Sequence, residues 1–130
     1  MNALVLVFIG GGLGAVSRHL SGMAVMRASG PGFPWGTMLV NIAGSLAMGL
    51  LIAWLARRSA SPWRSSGDAD LRLLLATGFL GGFTTFSAFS LDAVTLYERG
   101  ALTAAAAYVI ASVTVSILAL FGGLWLARQL

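Results

Sequence analysis

The chain has 130 residues, of which 58% are apolar and 9% charged, and its mean hydropathy is +0.88. A soluble domain carries about 25% charged residues, so this composition is that of an integral membrane protein. Eight arginines stand against four acids, with no lysine, no cysteine and a single histidine, His19. The missing cysteines exclude disulfides, thiol chemistry and Cys-based metal sites, and one histidine cannot form a zinc or proton-relay cluster. No basic run is longer than Arg57-Arg58, so the positive charge is read as loop residues at lipid headgroups rather than as a nucleic-acid surface.

A spanning helix needs about 20 mainly apolar residues, and four segments qualify, roughly 2–26, 33–56, 71–97 and 100–127. The first is interrupted by Arg18 and His19. No positive residue precedes it and the chain stays hydrophobic after it, so it is expected to be a span and not a cleaved signal. SGPGFP, Ser29 to Pro34, is a turn. The second span contains WGTMLVNIAGSLAMG, with Asn41 one turn after Thr37. The connector Arg57 to Asp70, marked by Pro62, Gly67 and serines, is a polar loop. No stretch remains for an extramembrane domain.

The third span holds GFLGGFTTFSAFS, Gly78 to Ser90. Each glycine lowers helix stability by about 1 kcal/mol relative to alanine, so Gly78, Gly81 and Gly82 invite a break. Irregular backbone at membrane depth is tolerated only where it is buried in protein or lines a watery cavity, and such breaks free backbone groups to meet ions. The fourth span carries Tyr108, Ser112 and Ser116 at i, i+4 and i+8, one polar stripe on an apolar helix. Each serine alone has an ordinary explanation in bonding to its own helix. In register with a tyrosine, they form a hydroxyl-lined track.

With four spans, both termini share one side. That side collects Arg57, Arg58, Arg64, Arg72 and Arg128, and the other holds Arg18, Arg27 and Arg99. The bias is small enough for insertion in both directions, which leaves antiparallel pairing of two copies open. Small residues at four-residue spacing (Gly10 with Gly14, Ser45 with Gly49, Ser112 with Ser116) permit close helix contacts. Four spans are few to enclose a polar path, so a homo-oligomer, most simply a dimer, is expected.

The donors narrow the ligand. Amide N–H groups, hydroxyls and the edges of Phe86 and Phe89 line the proposed path, and aromatic edges carry partial positive charge. A cation path normally shows intramembrane Asp or Glu, and only Asp92 qualifies, beyond the glycines. The residues by themselves indicate a channel for a small anion.

Three segments, GGGLGAVSR (Gly10 to Arg18), WGTMLVNIAGS (Trp35 to Ser45) and GFLGGFTTFSAFS, occur in order, one per helix, and the Tyr-Ser-Ser stripe follows. In these the chain resembles the Fluc/CrcB fluoride channels over essentially its whole length. The resemblance implies an all-α membrane protein with a broken third helix, assembled as an antiparallel, dual-topology homodimer in the plasma membrane. Two pores along the interface would export fluoride passively from the cytoplasm. It implies that Phe86, Phe89, Asn41, Tyr108, Ser112 and Ser116 line the pore, with Thr37 one turn before Asn41. Arg18 and Asp92 would lie at the entries. The backbone carbonyls of Gly81 and Thr84 would hold a structural sodium ion at the two-fold axis. Ala88 stands where many relatives have threonine, which leaves Ser87 or a water to supply that hydroxyl. Asp92 stands where many have glutamate.

Two other classes fit less well. A four-helix proton-coupled exporter of cationic drugs needs a membrane carboxylate, and Ala3 to Ser17 contains none. A non-transporting assembly subunit leaves Asn41, the glycine-rich third span and the hydroxyl stripe without a purpose.

Overall fold

The computed structural model describes residues 2–59 and 67–129, and every regular element among them is helical. Helix α1 (Ala3–Ser29) starts at Asn2, whose side-chain oxygen accepts the Leu4 N–H at 3.0 Å and so pairs one of the orphan donors of a helix start. It ends at Gly30, which has φ 77° and donates its N–H to the Met26 carbonyl at 2.9 Å. This left-handed turn suits glycine, and Pro31 and Pro34 prevent the helix from continuing. Helix α2 (Trp35–Ser59) follows. Residues 60–66, including Pro62 and Arg64 of the polar connector, lie outside the described residues.

The third stretch is composite. A short helix α3 (Gly67–Arg72) carries Asp68 and Asp70 in its first turn, where the helix dipole favours negative charge. It runs into a π-helical segment, Leu73–Leu80. The N–H of Gly81 still reaches back five residues to the Ala76 carbonyl. One further turn, α4 (Gly81–Phe83), precedes two residues with extended backbone, Thr84 (φ −82°, ψ 156°) and Thr85 (φ −152°, ψ 117°). Helix α5 (Phe86–Glu98) then begins. Its end is tied by Gly100 (φ 75°), with Gly100 N–H to Tyr97 and Ala101 N–H to Leu96 carbonyls at 2.9 and 3.0 Å, the reciprocal pattern of a Schellman cap. Helix α6 (Leu102–Gln129) completes the chain.

Among the described residues, four helical stretches, Ala3–Ser29, Trp35–Arg58, Gly67–Glu98 and Leu102–Gln129, are long and apolar enough to cross a membrane. The protein is an integral membrane protein. Without a hydrophobic force between helices inside lipid, close packing must hold such spans together, and glycines provide it. The Cα atoms of Gly49 and Gly123 bring α2 and α6 together, and a Cβ at either position would strike main-chain atoms of the other helix. Gly10 and Gly14 of α1 meet the backbone of the π segment at Leu74, Gly78 and Phe79, and Gly82 meets Gly11. At one end Arg57 donates to the Ala127 carbonyl at 2.6 Å and so serves an orphan acceptor in the last turn of α6. Beside it Arg58 pairs with Asp68 at 3.1 Å and lies 4.8 Å over the Trp54 ring. The buried apolar cluster is Met38, Phe89, Leu96, Ala105 and Tyr108, where α2, α5 and α6 converge.

Candidate functional site

Interrupting a helix at membrane depth leaves backbone groups that must find partners, and Asn41 supplies two. Its Oδ1 accepts the Thr85 N–H at 2.7 Å and its Nδ2 donates to the Thr85 carbonyl at 3.0 Å. The carboxamide thus pairs the extended backbone of Thr85 as a neighbouring strand would. Thr85 also caps α5, its Oγ1 accepting the Ala88 N–H at 3.2 Å and lying 3.2 Å from Ser87 Oγ. Thr84 turns its hydroxyl back to the Leu80 carbonyl at 2.9 Å.

These bonds have a consequence for two carbonyls. In an unbroken helix the Thr85 N–H would return to Gly81 and the Ala88 N–H to Thr84. Here the first goes to Asn41 and the second to Thr85 Oγ1. Gly81 and Thr84 therefore each lose the donor a continuous helix would give them.

Two hollows flank Thr85, which lines both. One, of about 360 Å³, is bordered by Asn41, Thr84, Phe86, Phe89, Ser112 and Ser116. Its rings belong to one pair, with Phe86 and Phe89 centroids 5.4 Å apart at 45°. Phe86 is 78% exposed whereas Phe89 is 9% exposed, so the first stands at the mouth and the second belongs to the core. The Oγ atoms of Ser112 and Ser116 are buried and have no hydrogen-bond partner among the described residues. The other hollow, of about 620 Å³, is bordered by Arg18, His19, Thr37, Ser87 and Ala88 together with apolar residues of α1, α2 and α5. Among the described residues no carboxylate lines either hollow.

The residues singled out in the sequence therefore separate into groups. Asn41, Phe86, Phe89, Ser112 and Ser116 share the smaller hollow, while Arg18, Thr37 and Ser87 share the larger one. Tyr108 and Asp92 meet each other inside the protein. Tyr108 is wholly buried, and its hydroxyl donates to Asp92 Oδ2 at 3.1 Å. Of the Tyr-Ser-Ser stripe, Tyr108 is in the core and does not line the smaller hollow, whereas Ser112 and Ser116 do. Thr85 has no place among the candidate residues of the sequence, although it joins both hollows and holds Asn41. Its signal was present in the TTF tripeptide, where a threonine preceding an apolar run is a helix cap.

A model of the family described as CrcB-like protein, Camphor Resistance (CrcB), matches residues 5–124. The chain belongs to the CrcB family. Among its CrcB relatives, a protein of Chelativorans sp. is 60% identical over 130 residues, covering 100% of this chain and 99% of that one. Relatives from Mesorhizobium japonicum and Agrobacterium fabrum are 58% and 54% identical over the same 130 residues, again with 100% and 99% coverage. All three are named fluoride-specific ion channel FluC. The match reaches into all four spans of this CrcB chain and covers every residue that lines the two hollows.

Proposed function

We propose that this chain is a fluoride-selective channel that releases fluoride passively across the plasma membrane; it is not an enzyme. The observation that carries the reading is the pair of buried hydroxyls, Ser112 and Ser116, without a partner among the described residues, on a hollow that the Phe86–Phe89 pair also lines. A buried hydroxyl without a partner costs about 1–3 kcal/mol, a cost that an ion accepting their hydrogens would offset. Fluoride, small and hard, gains most from short hydrogen bonds and from ring edges that lie close. The larger hollow, with Arg18 and His19 and no acid among its described lining, concentrates anions ahead of the hydroxyls, and Thr85 lines both hollows. The names of the relatives support the same ion. Nothing in the chain has the GxxxxGK[ST] pattern of a nucleotide site, which fits passive flow.

In this reading two copies pair antiparallel, close the hollows that a single subunit leaves open, and form two paths along the interface. The third span works as a broken helix. Its Gly81 and Thr84 carbonyls, deprived of their helical donors, are suited to a monovalent cation at the two-fold axis. Four neutral oxygens from two copies, with no carboxylate, suit Na⁺ better than Ca²⁺, which recruits Asp or Glu. The bound sodium would add positive potential between two anion paths.

The test is efflux from liposomes containing the purified protein, recorded with fluoride and chloride electrodes and without ATP or a proton gradient. Fluoride should leave much faster than chloride, and Phe86→Ile or Phe89→Ile should abolish most of the fluoride current while the protein still purifies as a dimer. Equal release of the two halides would refute the reading.

A further inference from the structure

Phe33 lies in the loop between α1 and α2 and borders neither hollow, yet that loop is built to hold its ring. Pro34 disfavours helical backbone at the residue before it, and the Trp35 N–H donates to the Phe33 carbonyl at 2.8 Å. The ring is half-buried and turned inward. It lies 4.7 Å from the Trp35 ring on one side and meets Tyr108 edge-on at 5.6 Å and 85° on the other. Tyr108 in turn lies 5.4 Å from Phe89, and Phe89 lies 5.4 Å from Phe86. Five rings run without a gap from the membrane-surface loop to the smaller hollow.

We propose that Phe33 is a positioning residue for the Phe86–Phe89 pair, acting through Tyr108. The Tyr108 hydroxyl is tied to Asp92, but that oxygen lies on the axis about which the ring turns. The tie fixes where the ring ends, and the packing around the wholly buried ring holds its plane. In that packing Phe33 supplies a ring perpendicular to Tyr108, at 85° and 5.6 Å. Phe89 packs against that plane at 34°, and Phe86 packs against Phe89 at 45°. Edge and face of an aromatic ring differ in sign of partial charge, so an ion path that uses ring edges depends on these angles as well as on the presence of the rings.

The inference rests on the fluoride-channel reading and is tested in the same liposomes. Phe33→Leu removes the edge and keeps an apolar side chain, whereas Phe33→Tyr keeps the ring. The leucine variant should lose about three- to tenfold in fluoride efflux with chloride leak unchanged, so that the fluoride-to-chloride ratio falls. Its elution volume and thermal midpoint in detergent should stay close to those of the unmutated protein, and the tyrosine variant should recover the ratio. If Phe33→Leu does not purify, Phe33→Met, flexible and without a ring, takes the same measurements. An unchanged ratio per folded dimer in the ringless variant, or no recovery with tyrosine, overturns the proposal and makes Phe33 simple packing. An unmutated protein that passes no fluoride overturns the channel reading and this inference with it, so the two failures are told apart.

Discussion

Ser112 and Ser116 stand one helical turn apart on α6, and their roles in stability and in conduction should have opposite signs. Each buried Oγ lacks a partner among the described residues, so each is a desolvated group that the fold carries at a loss. Replacing both by alanine should leave the thermal midpoint unchanged or raise stability by about 1 kcal/mol per site, while fluoride efflux falls at least about tenfold. A double variant that is less stable and conducts normally would show that the hydroxyls serve packing. Asn41 has the converse character. Asn41→Leu leaves both the Thr85 N–H and its carbonyl without their partner, at about 1–3 kcal/mol for each group, so stability and flux should fall together, as thermal unfolding and efflux would record. Asn41 stood out in the sequence as an amide in an apolar span, but what it bonds did not. Its partner is the backbone of a residue 44 positions away, and sequence pattern is blind to main-chain acceptors. Tyr108 was legible as polar for the same reason, whereas its turn toward Asp92 depends on how α5 packs against α6.

At the level of elements, the four spans follow from hydropathy and length alone, because lipid forces each to pair its own backbone. The interior of the third was harder to read. Three glycines there suggest a weak helix, yet Gly78, Gly81 and Gly82 are all helical, and the extended residues are Thr84 and Thr85. Gly78 and Gly82 instead let the third span touch the main chain of α1. The π-helical turns of Leu73–Leu80 leave no mark in a run of apolar side chains, since they are set by contact with α1. This packing separates neighbouring glycines of the GGGLG motif. A Cβ on Gly14 would run into the Phe79 carbonyl, whereas Gly12 has open space around it. Gly12→Ala should stabilise the protein by up to about 1 kcal/mol through helix propensity. Gly14→Ala should destabilise it by about 1–3 kcal/mol, because main chain must move to admit the methyl. Thermal unfolding of the two variants side by side checks the sign of each, and equal behaviour would mean that α1 does not pack on the π segment as described.

For the whole molecule, the decisive feature is how little of each span the subunit covers. Only 11% of the most apolar window of α6 is buried, and Phe86 at the mouth of the smaller hollow is 78% exposed. Lipid can face Leu4, Phe8 or Trp125, but the mouth of a hollow whose lining includes Asn41, Ser112 and Ser116 is a poor contact for hydrocarbon. In the proposed dimer a second copy covers that mouth, and charge bears on how each copy enters the membrane. With four spans the sequence expectation is that both termini share a side with Arg57, Arg58, Arg64, Arg72 and Arg128, and that Arg18, Arg27 and Arg99 fall toward the other. Arg57 and Arg58 also have partners in Ala127 and Asp68, and a split of five arginines to three is a weak bias, so the proposed reading has both orientations in the membrane. The chain has no cysteine, so one introduced thiol reports on topology without background. Gly32, in the α1–α2 loop, is exposed, has no neighbour within 4 Å of an added Cβ, and keeps an ordinary φ. Gly32→Cys in intact cells should react with a membrane-impermeant maleimide to about half its total, and the other half should react only after permeabilisation. Labelling that is nearly complete or nearly absent in intact cells would mean a single orientation. The two copies would then be related by an axis along the membrane normal, and carbonyls from two oppositely directed third spans could not converge on one sodium ion.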